Sequence, residues 1–242
     1  MSIPILMYHQ VGALAPRGTP FRGLTVDTAS FRRQMTWMHR LGYLGLSMRD
    51  LMPYLRGERS GKVFGITFDD GFRNVHDNAM PVLADLGFTA TNYFVARQLG
   101  GSNVWDHAHG VPSSPLMTVA EMREWAAAGN EVGSHTLDHV HLPLLDPAEA
   151  RRQIAGSRQA LEDAIGQPVT AFCYPYGEFT EAHIGMAREA GYENATLTKR
   201  GLANGNDDTM ALPRVLVAGS TGIVSFLRKM LTSYEDRKRR NW

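Results

Sequence analysis

The chain has 242 residues, 43% of them hydrophobic, with 25 Lys and Arg against 24 Asp and Glu for a net charge of +1. That length and apolar content suffice for one substantial core, so residues 1–242 are expected to form a single domain, at a size where barrel folds are common. Interspersed charge of both signs excludes the basic field that drives nucleic-acid binding, and a lone cysteine, Cys173, excludes an internal disulfide and any Cys-rich zinc site.

The chain starts directly with Ile3-Pro4-Ile5-Leu6-Met7-Tyr8-His9, without a basic region or a long apolar segment. Neither a signal peptide nor a transmembrane helix is expected, and a cytoplasmic location is the default. Ile3 to Tyr8 reads as a buried strand with His9 at its end. Asp27 or Thr28 caps a helix through about Leu41, whose Phe31, Met35, Met38 and Leu41 recur at helical spacing. A short strand spans Tyr43 to Leu46, and Ser47 caps a helix through about Leu55. The apolar run Val63 to Phe68 predicts a strand that ends in Asp69-Asp70-Gly71. Two readings are open there: carboxylates at the C-terminal end of a strand in an α/β crevice, or the Asp-Gly turn of a hairpin. Asn78 to Leu86 predicts a helix and Thr89 to Val95 a strand. Gln98 to Met117 is a long loop carrying Trp105, Asp106, His107 and His109. Trp105 suits stacking on a sugar face or pinning the loop to the core.

Thr118 with Glu121 forms a capping box for a helix to about Ala128. The short strand Glu131 to Ser134 then delivers His135-Thr136-Leu137-Asp138-His139. A long helix runs from Asp146 or Pro147 to Ile165, and the strand Thr170 to Tyr174 leads into Tyr174-Pro175-Tyr176-Gly177. Glu181 to Ala190 is a helix, Tyr192 to Leu197 a strand, Leu212 to Val217 the last strand and Gly222 to Leu231 a closing helix. The charge-rich tail Glu235 to Arg240 reads as solvated, with weak contact to anionic lipid or a partner as the alternative.

Two histidines four apart can approach one metal ion if their segment turns like a helix. Both the His pair and the Asp pair follow a short strand, so both belong to the same end of a parallel sheet. Two imidazoles and a carboxylate make a site that activates water with zinc or a similar divalent ion, while the second aspartate takes the water's proton.

Thr67-Phe68-Asp69-Asp70-Gly71, Ser134 to His139 and Tyr174-Pro175-Tyr176-Gly177 resemble the three leading motifs of the polysaccharide deacetylases, carbohydrate esterases that share the nodulation-factor deacetylase domain. The resemblance covers roughly residues 3 to 217. It implies a distorted (β/α) barrel of about seven parallel strands and hydrolysis of an N-acetyl group on an amino sugar. It also implies Asp69 as general base, Asp70, His135 and His139 as ligands of a divalent metal (Zn2+ first, with Co2+, Ni2+ or Fe2+ as alternatives), and the backbone N–H of Tyr176 as an oxyanion donor.

The chain departs from the family pattern twice. Cys173 stands where an arginine usually orients the base, and no leucine-x-histidine follows near the C-terminus. Leu6-Met7-Tyr8-His9 fits that missing motif instead. The chain thus resembles the circularly permuted branch that deacetylates poly-N-acetylglucosamine, with His9 as the acid that protonates the leaving amine. Arg214, in Leu212-Pro213-Arg214, is the candidate to replace the missing arginine. Tyr174, Pro175, Tyr176, Gly177 and Trp105 are the expected substrate contacts, and the partner is an N-acetylated sugar. The alternatives are a deacetylase of a small or lipid-linked amino sugar, another amidohydrolase, and a silent carbohydrate-binding module that keeps the fold. The last has no need of the charged cluster.

Overall fold

Short apolar strands joined by amphipathic helices can pair only in parallel, because each helix carries the chain back to the start of the next strand. The computed structural model describes residues 2–239 and follows this logic. Its strands and helices are, in order, β1 (Ile5–Tyr8), β2 (Gln10–Val11), β3 (Thr25–Val26), α1 (Thr28–Arg40), β4 (Leu44–Leu46), α2 (Met48–Leu55), β5 (Val63–Phe68), α3 (Arg73–Asn78), α4 (Met80–Leu86), β6 (Thr91–Phe94), α5 (Val119–Ala127), β7 (Glu131–Ser134), α6 (Pro147–Ile165), β8 (Ala171–Cys173), α7 (Glu181–Glu189), β9 (Asn194–Arg200), β10 (Leu212–Leu216), α8 (Ile223–Leu231) and α9 (Tyr234–Arg239).

Seven strands close a parallel barrel in the order β1-β10-β9-β8-β7-β6-β5, and β5 returns to β1 with Ile5 opposite Gly65 and Tyr8 opposite Phe68. The first strand therefore sits between the last strand and β5, the position that a permuted chain requires. β4 adds to the start of β5 outside this ring, with Leu44 opposite Val63. Closure removes the exposed edge that an open sheet would present. The caps follow the sequence: Asp27 Oδ1 accepts from Ser30 N at 2.9 Å, Asp146 Oδ1 from Ala148 N and Glu149 N at 3.0 Å, and Thr118 and Glu121 complete their capping box. No helix among the described residues is long and apolar enough to cross a membrane.

Several expectations need correction. Asp69-Asp70-Gly71 is not a hairpin turn, since β5 pairs with β6 in parallel, Thr67 opposite Thr91. The chain instead enters α3 immediately, and helix begins earlier than Asn78. Pro81 in the first turn of α4, which has no N–H to donate, accompanies the break between α3 and α4 at Ala79. The strand expected from Tyr192 begins at Asn194 and extends to Arg200.

The charged tail is not a solvated run. Glu235 is fully buried and accepts from Arg200 Nε and Nη2 at 2.8 and 3.0 Å, Asp236 accepts from Leu202 N at 2.9 Å, and Arg239 pairs with Asp207. Six charges in a row hid a face that turns inward onto β9. Arg240 lies outside the described residues.

Candidate active site

β5 delivers two carboxylates to the C-terminal end of the barrel and orients them differently. Asp69 continues the strand and is buried, while Asp70 and Gly71 both adopt left-handed backbone, at φ 76° and 77°. A left-handed aspartate is strained, but its short polar side chain tolerates it better than most. A side chain at position 71 would stand 2.7 Å from Phe94 Cδ1, so only glycine fits. The turn thereby separates the two carboxylates and gives each its own partners.

Asp70 faces the histidines. Its Oδ1 lies 3.6 Å from His135 Nε2 and 3.3 Å from His139 Nε2, and these three buried groups can offer ligand atoms within 4.8 Å of one another. The histidine segment is not helical. It is a turn with Thr136 and His139 in left-handed backbone, at φ 66° and 56°, and Thr136 Oγ1 accepts from His139 N at 3.0 Å. His135 Nδ1 is 2.7 Å from the carbonyl of Cys173. A carbonyl can only accept, so Nδ1 carries the proton and the Nε2 lone pair of a neutral ring points at a carboxylate oxygen. Two acceptors facing each other in a buried site are poorly satisfied by protein alone, and a divalent cation between them resolves the conflict. The donor set, two imidazoles and a carboxylate with a ring fixed from behind, fits Zn2+ and similar ions. Burial would raise the Asp70 carboxyl, but the hydrogen bond with His139 outweighs it and holds it well below the usual carboxylate range.

Asp69 is held by Arg214. Its Oδ1 and Oδ2 accept from Nη1 and Nη2 at 2.6 and 2.7 Å. From β10 the guanidinium also donates to Leu197 O at 2.8 Å and to Thr67 Oγ1 at 2.9 Å, and it lies 3.2 Å from Cys173 Sγ. Arg214 is fully buried. An arginine from β10 thus occupies the space beside Cys173 where a longer side chain on β8 would reach toward Asp69. Burial raises the Asp69 carboxyl, and the Arg214 guanidinium more than reverses this, so Asp69 stays ionised. Burial pushes the Cys173 thiol far up, leaving it neutral.

His9, just past the end of β1, has Nε2 3.9 Å from Asp69 Oδ2 and a buried Nδ1 without a partner. His9 and Asp69 are neighbours, too far apart to be hydrogen-bonded and near enough to address one substrate group.

The walls complete a cavity of about 130 Å³ lined by His9, Asp69, Asp70, His135 and His139 together with Trp105, Tyr174 and Tyr176. Trp105 stacks on the His139 ring at 4.5 Å and 21°, so part of the ring is engaged in fixing a histidine. Tyr176 takes φ 60° and meets His139 edge-on at 4.6 Å, and burial pushes its hydroxyl up to about 12. Pro175 and Gly177 do not line the cavity. Gly177 shapes the turn: at φ 73°, a Cβ there would lie 2.0 Å from Thr198 Oγ1. Sequence reasoning assigned no role to Asp106, Phe21, Leu24 or Thr198, which also line the cavity. Only Asp106 gave a signal, as the carboxylate beside Trp105. Burial raises its carboxyl.

A barrel with this donor set at the C-terminal ends of its strands suits a hydrolase, and comparison with known proteins gives the family. The polysaccharide deacetylase family model matches residues 56–195. The chain is 30% identical over 218 residues to YxkH of Bacillus subtilis (strain 168), whose name assigns it provisionally to the polysaccharide deacetylases, covering 89% of this chain and 71% of that protein. It belongs to the polysaccharide deacetylase family. It is also 23% identical to the poly-beta-1,6-N-acetyl-D-glucosamine N-deacetylase of Escherichia coli (strain K12), covering 90% of this chain but 37% of that protein. Among solved structures, the Streptococcus pyogenes deacetylase PplD in complex with acetate shares the fold at a TM-score of 0.83, with 24% identity over 96% of this chain and 99% of that one. His9 and Arg214 both lie outside the family-matched segment, so their places in the site come from the barrel's closure.

Proposed function

We propose that the protein is a metal-dependent N-deacetylase of N-acetylglucosamine-type glycans, releasing acetate and a free amino sugar. The observation that carries this reading is the buried confrontation of Asp70 with the Nε2 atoms of His135 and His139, set beside a second carboxylate locked to Arg214. Asp70, His135 and His139 would hold the metal. A divalent ion there, Zn2+ or else Co2+, Ni2+ or Fe2+, supplies the Lewis acidity that polarises the acetamide carbonyl and acidifies water.

The chain's own groups divide the remaining work. Asp69, kept ionised and oriented by the two Arg214 bonds, accepts the proton of the attacking water. The carbonyl carbon becomes tetrahedral, and the Tyr176 N–H donates to the oxygen that gains charge, a role that typically supplies about 2.7–4 kcal/mol. As the C–N bond breaks, His9 gives a proton to the nitrogen, so that an amine and not an amine anion departs. Trp105 and Tyr176 form the cavity wall against which the sugar rests, with the buried Tyr174 behind.

Acetate release from a panel of N-acetylated mono- and oligosaccharides tests the reading, and release from amino sugars with no turnover of simple acetamides is the expected result. His9→Ala should abolish this amide hydrolysis while sparing much of the hydrolysis of an aryl acetate, whose leaving group needs no proton. Equal losses on both substrates would reduce His9 to a structural role.

A further inference from the structure

Residues 12–25 and 101–115 rise on either side of His9 and enclose a second cavity of about 300 Å³, larger than the one over the histidines. The two are continuous, for His9, Phe21, Leu24, Asp70 and Asp106 line both. The reaction described above makes no use of the larger one, yet its walls are built. Gly12 N donates to Val26 O at 2.9 Å, Gly219 N to Gly23 O at 2.8 Å, and Arg22 Nε to Ala15 O at 2.6 Å, fixing one wall. On the other, Asn103 Oδ1 accepts from Ser114 N at 2.8 Å.

Phe21 stands where the cavities meet. Its side chain is about half exposed (51%), and its backbone takes the left-handed φ 54°, ψ 13° that phenylalanine rarely adopts. Among the described aromatic rings it meets only His109, tilted at a centroid distance of 6.0 Å, so it forgoes much burial, and the backbone that presents it is strained. Strain of this kind persists where the surroundings enforce it and clusters at ligand sites.

We infer that the larger cavity is the subsite for the sugar adjacent to the acetamido sugar being hydrolysed, with the Phe21 ring as its stacking platform. The inference rests on the proposed activity and extends it to a residue that sets preference for chain length. The wall chemistry selects a saccharide over an acyl chain. Gln10, Thr19, Thr25 and Ser114 share the lining with Phe21 and Leu14, matching a ring with an apolar C–H face and hydroxyl edges. A hydrocarbon would leave those polar groups without partners.

The test measures binding apart from turnover. Isothermal titration of the full chain with N-acetylglucosamine and with its β-1,4- and β-1,6-linked trimers should give at least about tenfold tighter binding for one of the trimers, the scale of one added stacked ring. Phe21→Ala should lose most of that gain and Phe21→Trp should keep it. Phe21→Leu, which is apolar without the ring, should behave like Phe21→Ala. Monomer and trimers bound equally by the wild type, or a trimer bound by Phe21→Ala as tightly as by the wild type, would overturn the subsite. Trimer binding through Phe21 without acetate release would leave the subsite standing and remove the activity. Acetate release with no gain from chain length would do the reverse.

Discussion

The two ends of the barrel bury carboxylates in opposite ways. At the bottom, Glu131 opens β7, and its Oε2 accepts from Thr91 Oγ1 at 2.6 Å and from Arg49 N at 2.8 Å, while Oε1 has no partner. No guanidinium locks it, and burial raises its carboxyl. At the top, Asp69 and Asp70 are as deeply buried, yet the Arg214 guanidinium lowers Asp69 and the hydrogen bond with His139 lowers Asp70. Burial alone therefore does not mark a functional acid. The top holds its carboxylates ionised, with Asp70 facing a His135 lone pair that calls for a cation, whereas the carboxyl at the bottom is raised and ties strands together.

Three substitutions sharpen this contrast. Asp69→Asn keeps the Arg214 contact in part and removes the proton acceptor, so turnover should fall at least about a hundredfold with metal content unchanged. Loss of metal from this variant would mean that the roles of the two aspartates are exchanged. Arg214→Gln leaves a buried carboxylate without its counter-charge, an effect of about 3–5 kcal/mol. For a chain of this size that corresponds to a fall in Tm of roughly 6–20 °C, readable by calorimetry.

Glu131→Gln should have the smallest effect. It keeps an acceptor for Thr91 and Arg49, so acetate release should stay within about twofold of the wild type. Because the folded carboxyl is raised, its stabilisation is complete below the unfolded value and is lost as pH climbs through the folded one. The stability of Glu131→Gln relative to the wild type should therefore improve as pH rises above the ordinary glutamate range. A difference that stays unchanged as pH rises would show that folding does not raise the Glu131 carboxyl.

Much of the top was legible in the sequence, because strand ends are written locally. An apolar run that stops at Asp69-Asp70-Gly71, and a short strand, Glu131 to Ser134, that stops before His135, declare both their residues and their common face. What was not legible depends on contacts distant in sequence. Arg214 reaches Asp69 across 145 positions and a barrel closure, and only the gap left by Cys173 hinted at it. His9 was legible as the end of β1, but its nearness to Asp69 follows from the register of β1 against β5. The inward turn of Glu235 depends on Arg200 and Lys229 waiting on other elements, which no charge count within the tail reveals. Phe21 sits in a loop without periodicity, and its strained backbone leaves no mark in composition.

The proposed activity depends on a divalent ion held by Asp70, His135 and His139. The decisive experiment strips the wild-type chain with a chelator and follows metal content and acetate release from an N-acetylglucosamine oligomer as Zn2+ is returned, with His135→Ala in parallel. Activity should disappear with the metal and return in proportion to one ion per chain, and His135→Ala should fold but recover neither. Full turnover by metal-free protein, or normal occupancy and turnover in His135→Ala, would contradict that dependence.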